Sequence, residues 1–392
     1  MRIGEKLKRE LESLRGEPLV DREVGASMPH KETSDQHLLC RHPVVSVCML
    51  TYNHEKYLQQ AIDGVMGQKT DFEYELIIAE DCSTDDTRRI CFENQARYPD
   101  RIRVLWSDEN VGIRRNGDRV LAACRGEFLA MCEGDDYWVN PSKLQKQVDV
   151  MRRYPTAGIC FGGNDIYYEF TECYSRYEPS RAPEEFFPGR EFLRRLMFER
   201  GDRGFYLQNL HTSTFLIRHS ALQKAAEEFE DAFRWELKQG DVTCMMTVAG
   251  VSDVCFLGEL CSVYRMNDGG VTRSVGARSL MDGDFLKIYL CMRIFGWSFN
   301  TAFEAFSDLL TIRWTKMALE TPGDAQKALA GVIARSEALR RAFGRWYCRG
   351  LFVAMSRGVL SRGCYKLLRP LYALGSHLNK CRVRRRLKGG MS

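Results

Sequence analysis

The sequence predicts an α/β protein built on a twisted parallel sheet, followed by a mostly helical carboxyl-terminal region. Three observations carry this. Nearly continuous apolar runs, such as Val44-Val45-Ser46-Val47-Cys48-Met49-Leu50 and Tyr74-Glu75-Leu76-Ile77-Ile78-Ala79, are of the type buried on both faces of a sheet. Stretches with apolar residues at helical spacing alternate with them, the rhythm of right-handed β–α–β crossovers. Three of the first four runs end in polar or acidic groups: Thr51-Tyr52-Asn53, Glu80-Asp81, and Glu133-Gly134-Asp135-Asp136. A parallel sheet gathers such ends at one edge, where its ligands sit.

In order, residues 1–40 read as a polar extension with a short amphipathic helix near Leu7, Leu11 and Leu14, then a linker. After the first strand, Tyr57, Leu58, Ala61, Ile62, Val65 and Met66 mark a helix. The second strand runs into Glu80-Asp81-Cys82-Ser83-Thr84-Asp85, which caps a helix ending at Tyr98-Pro99. Ile102 to Trp106 is a third strand; Asn110-Val111-Gly112 leads into a helix around Arg119 to Cys124. The fourth strand, Glu127 to Cys132, delivers the acidic stretch, and a helix from Pro141 runs to Tyr154. Further strands are expected at Gly158–Phe161 and His211–Arg218, with helices carrying Arg190, Arg194 and Arg195, then Leu222 to Phe233. From about Leu280 the chain turns helical. The expected divisions are 1–40, a sheet domain over 41–278 (halves 41–150 and 151–278), and a basic helical region over 279–392.

Composition narrows the function. With 44% apolar and 11% aromatic residues a packed core is available, and global disorder is excluded. No apolar run reaches the roughly 18 residues of a membrane span. The charged start, Met1-Arg2-Ile3-Gly4-Glu5-Lys6, lacks a secretory centre, so the expected compartment is the cytoplasm. The 15 cysteines show no C-x-x-C pairing, so free thiols are expected. Of the 57 basic residues 14 lie beyond Ala338, where no acid occurs; the remaining 43 face 52 acidic residues. An acidic body with a basic tail suggests a polyanionic partner for the tail alone, either a membrane surface at the inner face of the cell membrane or, if the tail packs as a lid, none. No nucleic-acid-binding motif accompanies it.

No G-x-G-x-x-G follows the first strand and no G-x-x-x-x-G-K-[ST] occurs, which disfavours hydride transfer and P-loop chemistry. Three carboxylates within four positions need a compensating cation or many donors. Oxygen ligands of this kind suit Mg²⁺ or Mn²⁺ together with substrate phosphates, although an acidic turn with a helix cap reads the same way.

The ordered set Val45 to Asn53, Glu80-Asp81-Cys82-Ser83-Thr84-Asp85-Asp86-Thr87, Asn110-Val111-Gly112 and Glu133-Gly134-Asp135-Asp136-Tyr137-Trp138 resembles the family 2 glycosyltransferases of GT-A fold. The resemblance covers residues 44–150 and extends more weakly to about 275. It implies that Thr51, Tyr52 and Asn53 line the nucleotide pocket and that Asp81 meets the nucleobase. It implies further that Asp135 sits near the ribose and Asp136 near a metal on the diphosphate. Glu133 and Glu80 stand where the family usually has Asp. Trp138 either stacks on an acceptor sugar or packs as a buried aromatic. Asp241, after Gln239-Gly240, matches the family's general base, against the plainer reading of a helix N-cap. Arg265 either meets the diphosphate or forms a structural salt bridge, and Asn267 replaces a His common in relatives. The implied activity is inverting transfer from a nucleotide-diphosphate sugar to a glycan or lipid-linked hydroxyl in cell-surface polysaccharide synthesis, by a base on one side and a divalent metal on the other. The alternative is a catalytically silent sugar-nucleotide-binding or scaffold protein on the same fold.

Overall fold

A computed structural model of the chain describes residues 30–177, 184–198, 211–234, 240–267 and 277–297. The chain forms two compact units, Glu23–Glu230 with Gly240–Gly270, and Met1–Arg22 with Asp231–Gln239 and Val271–Ser392. The first holds an eleven-stranded sheet. Its centre is β2 (Val45–Thr51), β3 (Tyr74–Glu80), β4 (Ile102–Trp106) and β5 (Phe128–Met131), all parallel, in the order β4-β3-β2-β5. The crossovers are α1 (Leu58–Met66), α2 (Thr87–Arg97) and α3 (Ile113–Ala123). These elements match the pattern in the sequence because their apolar residues are fully buried: Val45, Val47, Met49, Leu76 and Ile78 are all 0% exposed.

Beyond β5 the sheet is mixed, where a parallel one was expected. A strand at β6 (Tyr137–Trp138) is followed by α4 (Lys143–Arg153), β7 (Ala157–Tyr168), β8 (Cys173–Ser175), β9 (Glu184–Phe187) and α5 (Gly189–Phe198). Next come β10 (Leu216–Arg218), α6 (His219–Glu228), α7 (Glu230–Arg234), α8 (Gly240–Val251) and β11 (Asp253–Met266). Short β10 runs antiparallel between β5 and β7, and β11 lies parallel to β7. Two antiparallel steps restore direction, so β7 and β11 end at the same edge as β2, β3 and β5. An unexpected edge strand, β1 (Lys31–Thr33), pairs antiparallel with β4, and Glu32 in it accepts from Arg103.

The second unit holds α9 (Ala277–Phe295) and residues Asp231–Arg234 of α7; Tyr289 donates to Asp231 at 3.1 Å. Among the described residues no helix is long and apolar enough to cross a membrane. The expected helix near Leu7, those after about 300 and the basic tail lie outside the described residues.

Buried thiols give the sheet unit a predictable response to base. Burial pushes up the pKa values of Cys91, Cys132, Cys160 and Cys261, and the Cys124 thiol 3.3 Å away does so for Cys48. In the unfolded chain a thiol titrates near 8.5, so above that pH the unfolded state sheds protons the native state keeps. Each such group lowers stability by about 1.4 kcal/mol per pH unit. Buried Lys143, held by burial to about 8, works in the opposite direction as pH rises from its native to its unfolded value. The five thiols outweigh one lysine. Urea midpoints under reductant are therefore expected to fall between pH 8 and 10; a flat or rising profile would contradict this burial pattern.

Candidate functional site

The carboxyl ends of β2, β3 and β5 lie side by side, and backbone bonds hold their outgoing loops together. Asp81 N–H donates to Thr51 O at 3.1 Å and Gly134 N–H to Leu50 O at 2.9 Å. Asn53 takes a left-handed conformation (φ +55°), which Asn tolerates, and its Oδ1 accepts from Thr84 N–H at 2.8 Å. Tyr52 is exposed while Thr51 is buried, with Oγ1 unpartnered among the described residues. Asp81 spends its carboxylate on the next loop: Oδ1 accepts from Val111 N–H and Oδ2 from Gly112 N–H, each at 2.9 Å. Gly112 is at φ +84°, a conformation that favours glycine. Glu80 is fully buried against Arg88 and Ser83 N–H, and so is a brace for this turn.

The acidic stretch turns at Gly134-Asp135, where Asp136 N–H donates to Glu133 O at 3.1 Å, and its burial alternates residue by residue. Glu133, Asp135 and Tyr137 are partly exposed, whereas Gly134, Asp136 and Trp138 are buried. Gly134 must be glycine for a close approach: a Cβ there would lie 2.8 Å from both Thr51 Oγ1 and His54 Nδ1. His54 Nδ1 is also buried and unpartnered among the described residues, and its Nε2 is 3.9 Å from Asp135 Oδ2.

This alternation corrects two expectations. Trp138 is only 4% exposed, its Nε1 donates to Ser213 O at 2.8 Å, and Lys143 Nζ lies 4.1 Å over its ring. It is a core residue and unavailable to an acceptor sugar. Asp136 is fully buried; its Oδ1 accepts from Arg265 N–H at 2.9 Å and its Oδ2 from Ser213 Oγ. His211 Nδ1 lies 3.3 Å from the same Oδ2, and the His211 ring stacks on Tyr264. Burial and the neighbouring Asp135 charge push the Asp136 pKa well up, and burial holds His211 down to about 4. Asp136 ties β11 and the Ser213 turn to the end of β5, and its full burial sets it apart from the outward-facing Asp135.

Asp135 is the carboxylate that faces outward. Its Oδ2 accepts from Asn267 Nδ2 at 3.0 Å, so the residue replacing the family's usual His positions this aspartate. Arg265 Nη1 donates to Asp135 O, and Nη2 to Gln60; the guanidinium lies 4.9 Å from the Tyr57 ring centre and 4.7 Å from that of Tyr137. Arg265 is thus a largely committed, 7% exposed brace, and what it offers a diphosphate is limited. Glu133 is half-buried; burial, then the charges of Asp135, Asp136 and Asp241, push its pKa well up. Asp241 is exposed in the first turn of α8, next to Gly240, where a Cβ would meet Arg114 Nη1 at 2.8 Å.

Among the described residues no three His, Cys, Asp or Glu side chains form a metal cage of their own. One outward carboxylate, with Glu133 beside it, fits instead a hard cation that takes one or two protein carboxylates and completes its shell with substrate phosphates and water. The alternation from Glu133 to Trp138 runs through a turn, so a strand count would not have predicted it. His211 and Ser213 carry no sequence signal because they reach the site only through the fold.

An α/β sheet whose parallel strand ends bring Thr51, Asp81 and an outward acidic residue to one edge has a GT-A-type architecture. Residues 46–225 match the model of Glycosyl transferase family 2. An uncharacterized protein of Mycobacterium tuberculosis is 46% identical over 125 residues, 32% of this chain and 36% of the relative. TuaG of Bacillus subtilis, named for a glycosyltransferase of teichuronic acid biosynthesis, is 34% identical over 109 residues, 28% of this chain and 42% of its own length. The chain thus spans well under two thirds of these relatives. The crystal structure of S. aureus TarS 1-349 shares the fold, with TM-score 0.51 and 18% identity over 80% of this chain and 89% of that one.

Proposed function

We propose that the protein is an inverting glycosyltransferase. It transfers a sugar from a nucleotide-diphosphate donor to a hydroxyl of a glycan or lipid-linked acceptor in cell-surface polysaccharide synthesis, on the cytoplasmic side of the membrane. The observation that carries this is the convergence of the strand ends bearing Thr51, Asp81 and Asp135 on one edge of a sheet, within residues that match the family 2 model. The teichuronic acid relative supports the product class.

In this reading the nucleotide lies over the ends of β2 and β3. Tyr52 and Thr51 flank the base, Asn53 shapes the turn, and Asp81 meets the base with lone pairs left after its two backbone bonds. Asp135, set by Asn267, and Glu133 hold a divalent cation; when bound, Mg²⁺ or Mn²⁺ neutralises charge on the departing diphosphate. Asp241 takes the proton of the attacking hydroxyl as the new bond forms. Attack from the side opposite the leaving group inverts the anomeric centre.

NMR of the full chain with a panel of nucleotide sugars and a membrane-derived acceptor extract tests this. One donor should be consumed and its anomeric configuration inverted in the product. Retention would overturn single displacement, and no consumption of any donor would overturn the transferase reading.

A further inference from the structure

We infer that a wall of tyrosines and arginines running from Asp135 to Arg176 is the acceptor subsite, taking a pyranoside residue through its hydroxyls; this rests on the transferase reading above. The wall is continuous. Arg265, bonded to Asp135 O, lies between the rings of Tyr57 and Tyr137. The Tyr137 hydroxyl is 3.4 Å from that of Tyr174. The Tyr174 ring is in turn flanked by Tyr167, with centroids 4.7 Å apart, and by the Arg176 guanidinium at 3.9 Å.

Both ends are fixed. Tyr57 donates to the Glu169 carboxylate at 2.7 Å, and Arg176 Nη1 to buried Asp165 at 2.6 Å, where Tyr177 N–H also bonds. Yet the outer end is open: Tyr174 is 40% exposed and the Arg176 side chain 66%. Tyr137, Tyr167 and Tyr174 lie on β6, β7 and β8, with Arg265 on β11, across β5 from the strand ends assigned to the donor, while Tyr57 joins the wall from the segment before α1. Donor pocket and wall therefore flank Asp135 from two sides, as the two substrates of a displacement must.

The chemistry suits a sugar. A pyranose presents hydroxyls that each need a donor and an acceptor, and tyrosine hydroxyls supply both. Tyr137, pushed up to about 12 by burial and by its Tyr174 contact, stays protonated. The guanidinium adds fixed, planar donors, with only Nη1 taken by Asp165. Rings and stacked arginines held in advance lose little rotamer entropy on binding. An alkyl chain would bury these polar edges unpaired, which is costly.

The test uses the full chain on an array of immobilised pyranoside oligosaccharides, beside calorimetric titration with nucleoside diphosphates. Tyr174→Ala and Arg176→Lys are each expected to weaken glycan retention by about tenfold or more. Nucleotide affinity, which relies on the other side of the cleft and also reports folding, should hold within about twofold. Unchanged glycan binding by both variants, or a wild type that binds nucleotide and no oligosaccharide, overturns the acceptor wall and leaves the donor site standing. A wild type that binds no nucleotide removes the transferase reading, and this inference with it.

Discussion

Asp241→Asn is expected to slow sugar transfer by about 10²- to 10⁴-fold, the usual worth of a positioned general base. Asparagine keeps the shape and the hydrogen-bonding reach but cannot accept the hydroxyl proton. The residue is exposed in the first turn of α8, so replacing its side chain leaves the core untouched. The loss should accordingly fall on kcat, with nucleoside diphosphate affinity and thermal midpoint unchanged. A purely structural role as a helix-start carboxylate would show the reverse, costing about 1 kcal/mol of stability and little catalysis. Single-turnover rates alongside a melting curve separate the two.

Asp136→Ala should instead unfold the site. Truncation strands Arg265 N–H and Ser213 Oγ, both in buried surroundings, at about 1–3 kcal/mol for each unsatisfied group. It also unties β11 and the Ser213 turn from β5, so a total of about 2–5 kcal/mol is expected. For a unit of this size that lowers the melting midpoint by roughly 5–15 °C. Asp135→Ala, by contrast, removes an outward carboxylate bonded to Asn267 and should shift the midpoint little. Equal midpoints for the two variants would refute the division of labour between these neighbours.

The fold was legible wherever burial was two-sided. β2 and β3 read directly because every position must be apolar or internally paired; Glu75 in β3 is tolerated because Arg125, Arg103 and Ser46 meet it. β1 was illegible, since Lys31-Glu32-Thr33 is an edge strand held by a polar bond to Arg103. β7 was legible only as far as Phe161, because Gly162-Gly163-Asn164-Asp165 carries the composition of a turn. Those glycines serve packing: a Cβ at Gly163 would meet the Tyr177 ring at 2.4 Å and one at Gly162 the Cys261 sulfur. The three strand ends of the site were legible as a set, because parallel topology brings them together whatever the loops do. Which carboxylate faces out was not read, because the stretch turns at Gly134-Asp135 and no strand period carries through it. Partners such as Ser213 and His211 come from a distant segment, so only the fold reveals them.

The most direct test of the account is calorimetric titration of the full chain with a panel of nucleoside diphosphates, with and without Mn²⁺, for wild type and Asp135→Ala. The account predicts that one nucleotide binds, that Mn²⁺ strengthens the binding, and that Asp135→Ala abolishes the Mn²⁺ effect in a protein that still melts cooperatively. Binding of no nucleotide, or a Mn²⁺ effect that survives Asp135→Ala, would contradict it.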